Sequence, residues 1–368
     1  MATSDALRPR DRDAILTALR AGVVPRRGFQ HFQVGRVREL EALIADLDRV
    51  ADGGTLFRLI VGDFGSGKTF FLYLLGAIAR RKKLVTVTAD LNPDRRLHGT
   101  GGQARSLYAE LMRNAATATK EDGGAMPAIV ERFVSDALAV ARAERRGVED
   151  VIHERLSQLQ ELVGGYDFAQ VVAAYWRGHE TGDETLKTHA LRWLRGEFTT
   201  RTDARNALGV RTIIDDANVY DMLKLFARFV RLAGFSGLLV CVDELVNLYK
   251  MSNRKAREAN YEQLLRILND GLQGGAEGLG FIAGGTPETL TDTRRGLYSY
   301  PALQSRLEEN RFASDTLKDF SGPVLRLPNF TEPEFIALLT RLRQVHANGD
   351  TSILPDGGIE AFIQHCRG

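Results

Sequence analysis

The 368-residue sequence has little that would tie it to an oxidising compartment or to a membrane. It carries two cysteines, Cys241 and Cys366, too few for a disulfide framework. Cys241 lies inside an apolar run, where it reads as a small buried hydrophobe. No apolar stretch approaches the roughly 20 residues that a membrane-spanning helix needs, and the N-terminus has no signal-peptide core. An excess of one charge is also missing, since 49 lysines and arginines face 47 aspartates and glutamates for a net charge of +2. That balance removes the bulk electrostatic signature of a nucleic-acid binder, although much of the positive charge is arginine and a local basic patch stays open. These absences predict a cytoplasmic protein with no membrane contact. What is present is ordinary for a globular chain, with 44% hydrophobic and 26% charged residues, and the length suits about two or three domain-sized units. The last residues, His365-Cys366-Arg367-Gly368, read as the middle of something rather than a natural end.

Against this plain background stands Gly62-Asp63-Phe64-Gly65-Ser66-Gly67-Lys68-Thr69. The apolar run Leu56 to Val61 feeds into it and the helix-forming run Phe70 to Ile78 leaves it. Strand, glycine loop and helix in that order make G-x-x-x-x-G-K-T a phosphate-binding loop rather than a chance pattern. Glycines at 62, 65 and 67 let the backbone turn tightly, so that successive N–H groups point at phosphate oxygens. The start of the following helix adds partial positive charge, and Lys68 reaches toward the β- and γ-phosphates. Thr69 offers a hydroxyl to Mg²⁺. The stretch Gly62 to Phe70 is thus the expected lining of a nucleoside-triphosphate site.

A second run, Gly237-Leu238-Leu239-Val240-Cys241-Val242-Asp243-Glu244, is continuously apolar and ends in two carboxylates. It fits a buried parallel strand whose C-terminal end faces the ligand crevice. Alone the pattern is weak, because many strands end in polar residues; beside the phosphate loop it assigns Asp243 to Mg²⁺ and Glu244 to polarising the attacking water. Further strands are expected over Leu84–Ala89, Leu279–Ala283 and Val324–Leu327. From about 104 to 235 the pattern is almost entirely helical, with Ile129, Val130, Phe133, Val134, Leu138 and Ala141 in one apolar stripe. A βαβ crossover takes about 30 residues, so the far longer interval before Leu238 predicts a helical insertion at 118–210. Trp193 and the pair Tyr175-Trp176 are expected in the core. The polar, glycine-rich loop Asp90 to Gln103 is either a solvated connector or a contact for DNA, nucleotide or another subunit. Near the C-terminus Thr331 is an expected N-cap with Pro333 in the first turn. Helices over Glu334–Val345 and Ile353–Cys366 would follow.

Six segments carry a resemblance: Val24-Pro25-Arg26-Arg27-Gly28, Val61 to Phe71, Asp94 to Gln103, Ala190 to Glu197, Val242-Asp243-Glu244 and Ser299 to Leu307. On them the chain resembles the BREX-system ATP-binding domain family of bacterial P-loop proteins and, more distantly, the AAA+ initiator ATPases. The resemblance implies an α/β P-loop NTPase of AAA+-like form, a parallel sheet flanked by helices. Its parts would be N-terminal helices and an adenine-side segment (1–50), the ATPase core (51–117 and 211–328), the helical insertion (118–210) and the start of a helical lid (329–368). Phe32-Gln33-Val34-Gly35-Arg36 resembles a V-G-R-x-x-E segment that packs on adenine, with Gly35 and Arg36 at the turn; an ordinary helix-capping turn is the alternative. Thr286 stands where AAA+ proteins place a γ-phosphate sensor, and equally where a helix before Pro287 would be capped. Arg306, ahead of Arg294, Arg295 and Arg311, resembles the arginine that reaches a neighbouring subunit's site; the alternative is a surface arginine. An arginine sensor on a later lid helix would lie beyond residue 368.

The implied cofactors are ATP and Mg²⁺, and the implied partners are further copies of the chain, other defence-system proteins such as a helicase, and DNA. The expected activity is Mg²⁺-dependent ATP hydrolysis driving a switch or motor in DNA-associated anti-phage defence. A tightly binding signalling scaffold with little turnover, or a DNA-translocating ATPase, are the rival readings.

Overall fold

The computed structural model describes residues 7–25, 28–310, 319–347 and 357–367. Five aliphatic runs form its strands: β1 (Leu56–Val61), β2 (Leu84–Asp90), β3 (Gly237–Asp243), β4 (Leu279–Gly285) and β5 (Val324–Arg326). All pairings are parallel, and the order across the sheet is β2-β3-β4-β1-β5. A parallel sheet is covered on both faces, which is why β1, β3 and β4 are almost wholly apolar in sequence, Arg58 and the terminal Asp243 apart, and buried at every position.

Alternation along the strands sorts their side chains into two cores. Phe57, Leu59, Val85, Val87, Val240, Val242 and Phe281 enter one. Leu56, Ile60, Leu84, Leu239, Cys241, Ile282 and Leu325 enter the other. The second core is closed by the helices Pro9–Arg20, Val37–Ala51, Lys68–Arg81 and Glu332–Ala347. Arg58 of β1 points to this side and is only 5% exposed. Its Nε lies 2.6 Å from Asp46 Oδ2 on the helix Val37–Ala51, and Arg49 shares the same carboxylate. Such a pair contributes little net stability, but removing one partner strands a buried charge.

The first core is much the larger. Between β2 and β3 the described residues form seven helices: Gln103–Arg113, Met126–Glu144, Val148–Ser157, Gly165–Thr181, Glu184–Leu194, Arg201–Leu208 and Val219–Leu232. Their apolar stripes merge with the sheet's own side chains into one continuous cluster, joined by Tyr261, Leu264 and Leu268 of the helix Arg254–Gln273. Tyr175, Trp176 and Trp193 are buried, as their sequence context predicts. The Trp193 indole N–H donates to Thr212 O at 2.9 Å, so its one polar atom is satisfied. Buried Asp167 accepts from the Arg211 and Thr212 amides and from the Thr212 hydroxyl, which pins the return of the chain toward the sheet. No helix among the described residues is long and apolar enough to cross a membrane.

Candidate functional site

The sheet order brings the carboxyl ends of β1 and β3 to either side of β4. Gly62 N donates to Gly285 O at 3.2 Å and Leu245 N to Gly284 O at 2.9 Å, so the loops after β1 and β3 both lean on the end of β4. The glycines of the loop Gly62–Thr69 have distinct duties. A side chain at Gly62 would meet Ser66 Oγ at 2.4 Å and Leu327 O at 3.0 Å, and Gly67 has φ +84° as the N-cap of the helix Lys68–Arg81. Lys68 Nζ donates to the carbonyls of Gly62 (2.9 Å) and Asp63 (2.8 Å), which engage two of its three protons. Ser66 Oγ is buried with no hydrogen-bond partner among the described residues, an orphan that a polar ligand or water would satisfy. Phe64, at the tip of the loop, is 99% exposed.

The two motifs read from sequence meet directly. Thr69 Oγ1 donates to Asp243 Oδ2 at 2.7 Å across 174 residues of chain. The contact needs Gly284 on β4, where a Cβ would lie 2.3 Å from Asp243 Oδ1. Among the described residues no group of three or more His, Cys, Asp or Glu side chains could hold a metal ion. A hydroxyl and one carboxylate suit Mg²⁺, which takes its remaining ligands from phosphate and water. The donor set at Thr69 and Asp243 therefore fits the cation that the motif implies.

Glu244 follows with φ +62°, a left-handed backbone that costs a non-glycine residue on the order of 1–2 kcal/mol. Its amide donates to Asp243 Oδ1 at 2.8 Å, and the turn sends its carboxylate out of the strand. Partial desolvation, then the negative charges of Asp243 and Asp90, hold the Glu244 carboxyl above the usual carboxylate range; Lys68 and Lys250 oppose them. Asp90 is the register partner of Asp243 at the end of β2. Sequence reading placed Asp90 only in a connecting loop, because its neighbour across the sheet is 153 positions away.

Other predicted residues are spread more widely. Gly35 (φ +65°) and Arg36 (φ +59°) make the left-handed turn before the helix Val37–Ala51. A Cβ at Gly35 would strike Glu334 Oε1 at 2.3 Å. The Arg36 guanidinium donates to the carbonyl of Ser66 in the phosphate loop and to Pro328 O at 3.3 Å. Phe70 packs with Phe29 and Phe32 at centroid distances of 5.6 and 5.3 Å. Thr286 caps the short helix Pro287–Thr291, its hydroxyl 3.4 Å from the Thr289 amide. Arg306 is exposed and donates to Ala302 O within its own helix. Arg295 donates to Met251 O at 3.1 Å, the Arg294 amide donates to Asp292 Oδ1, and Arg311 lies outside the described residues.

The loop after β2 is tied down rather than free. Asn260, 1% exposed, receives the His98 amide and donates to the His98 carbonyl. Asp216 accepts from the amides of Gly102 (2.7 Å) and Arg105 (2.9 Å) at the start of the helix Gln103–Arg113. Asp216 and Asn260 carry no short-range sequence signal for these duties, since each acts on a segment far away in the chain. Asn329, whose amide donates to Asp63 Oδ2 at 2.9 Å, was equally hidden.

A five-stranded parallel sheet in this order, with a glycine loop at the end of β1 leading into a helix, defines an α/β protein of P-loop NTPase-like fold. Within that class the chain belongs to the BREX system ATP-binding proteins BrxC/D, a phage-defence family whose model matches residues 7–368. No individually curated protein matches it.

Proposed function

We propose that the protein is a Mg²⁺-dependent ATPase whose turnover drives a switch or motor in DNA-associated phage defence. The observation that supports this most is the hydrogen bond from Thr69 to Asp243, because it joins the phosphate loop to the acidic strand end beside Glu244. In this reading the loop amides and Lys68 bind the β- and γ-phosphates, and Thr69 and Asp243 hold the cation. Mg²⁺, when bound, neutralises charge on the phosphate oxygens. Glu244 accepts a proton from the attacking water, a role that its raised proton affinity supports. Gly35 and the Phe29–Phe32–Phe70 cluster form the base side. Thr286 reports on the γ-phosphate while capping its helix.

Arg306 would complete the site of a neighbouring copy, which makes turnover depend on assembly. Its hydrogen bond within its own helix also leaves a second reading, in which an isolated chain binds ATP with little turnover and acts as a scaffold. Glu244→Gln should keep ATP affinity while lowering the hydrolysis rate by about 10²–10⁴-fold. Hydrolysis at the wild-type rate in that variant would remove Glu244 from the mechanism. Specific activity measured against protein concentration then separates the two readings. A rise that Arg306→Ala abolishes marks a shared site, and a flat, very low rate marks the scaffold.

A further inference from the structure

Arg36 reads from sequence as part of the base side, but its side chain runs to the phosphate loop. One guanidinium nitrogen donates to the Ser66 carbonyl, and a Cβ built at Gly67 would lie 3.4 Å from the other. The group therefore lies against the peptide that joins Ser66 to Gly67. A peptide unit is planar and trans, so its N–H points opposite to its C=O. Holding the Ser66 carbonyl on the Arg36 side turns the Gly67 amide to the other side. Gly67 is the last residue before the helix Lys68–Arg81, where an amide facing outward donates to an anion.

The guanidinium is itself held from a second direction. It donates to Pro328 O at 3.3 Å and lies over the Phe330 ring at 4.7 Å, with Phe71 at 5.9 Å. Asn329, between these residues, donates to Asp63 Oδ2 of the same loop. The Thr331 amide and hydroxyl both donate to Glu334 Oε2 at 2.8 Å, which fixes this connector at the start of the helix Glu332–Ala347. One guanidinium nitrogen, Nη2, thus bridges two main-chain carbonyls while the planar group stacks on a ring, and it is the stacking that lysine cannot reproduce.

We propose that Arg36 is a positioning residue for the phosphate cradle: it orients the Ser66–Gly67 peptide and couples that peptide to the Pro328–Phe330 connector, without contacting the base. The inference rests on the phosphate-binding reading given above.

Inorganic tripolyphosphate with Mg²⁺ is the discriminating probe, because it carries the phosphate chain and no base. Its binding and that of ATP would be measured by calorimetry for the wild type, Arg36→Ala, Arg36→Lys and Lys68→Ala. The proposal expects Arg36→Ala to weaken both ligands by a similar factor of about ten or more, the size of one lost charge-assisted hydrogen bond from a misdirected Gly67 amide. Arg36→Lys should recover part of the loss. A loss confined to ATP would make Arg36 a base contact and overturn the proposal, as would affinities for both ligands that match wild type. If wild type fails to bind tripolyphosphate, or Lys68→Ala binds it as well as wild type, the phosphate-loop reading itself falls. Should Arg36→Ala not fold, Arg36→Lys carries the test, with an equal fractional loss for both ligands expected and a loss for ATP alone overturning it.

Discussion

β1 and β2 both run into a loop with three glycines and then, through a left-handed glycine, into a helix. Gly62, Gly65 and Gly67 precede Lys68–Arg81; Gly99, Gly101 and Gly102 precede Gln103–Arg113, with φ +84° at Gly67 and +89° at Gly102. Both helix starts expose backbone amides and the positive end of a helix dipole. At the second loop that potential is already used, because the Asp216 carboxylate accepts from two amides and Gln103 Oε1 takes the Gly101 amide. At the first, no side chain among the described residues accepts from the amides of Gly65, Gly67, Lys68 or Thr69, and a lysine, a threonine and a buried hydroxyl surround the opening. The same backbone device is a structural joint when the chain supplies its own anion and a receptive site when it does not.

Three substitutions would break or sharpen that contrast, and Lys68→Ala has the largest expected effect. ATP affinity should fall by about 100-fold, from the loss of charge-assisted hydrogen bonds worth on the order of 3 kcal/mol. Unfolding should stay within about 1 kcal/mol of wild type, because Lys68 bonds only to carbonyls at the edge of the loop. Asp216→Ala comes next and should do the reverse. It should cost about 1–2 kcal/mol of stability in denaturant unfolding, as loss of a helix cap does, while ATP affinity by calorimetry stays unchanged. Nucleotide affinity that fell as far in Asp216→Ala as in Lys68→Ala would erase the distinction between the loops.

The smallest effect belongs to Asp90→Asn. In the proposed mechanism Glu244 must be ionised to accept a proton, so hydrolysis should fail as pH drops through its raised pKa. Burial and Asp243 contribute more to that rise than Asp90 does. Removing the Asp90 charge should shift the acid limb of the rate profile to lower pH by a modest step. An acid limb that stayed in place, or moved upward, would show that Asp90 does not act on Glu244.

The frame of the molecule was legible because its strands are buried on both faces. Leu238–Val242 is an unbroken apolar run, Leu56–Val61 is broken only by Arg58 and Leu84–Ala89 only by two threonines, and each strand lies within a residue or two of where such a run places it. The meeting of Thr69 with Asp243 was legible too, because a glycine loop after one parallel strand and carboxylates at the end of another lie at the same edge of the sheet. What stayed hidden is what depends on contacts between distant segments. Arg36 bonds to a residue 30 positions away and to another 292 positions away, and no local spacing records that. Arg58 looks like a flaw in an apolar strand until Asp46 is placed beside it. Thr286 carries two sequence readings, and its hydroxyl serves the capping one in this structure.

The position of β1 has a consequence in time. It is flanked by β4 and β5, yet about 220 residues separate Val61 from Leu279, so at roughly 5–20 residues per second the ribosome needs about 10–40 s to deliver its first neighbour. Throughout that interval both edges of a six-residue segment, apolar but for Arg58, lack their eventual pairing partners, and such segments can associate with other chains. The helices encoded in between emerge first and can shelter one face of it, but not its edges. Synthesis of this protein therefore carries a window of aggregation risk set by the order of its strands rather than by its final stability.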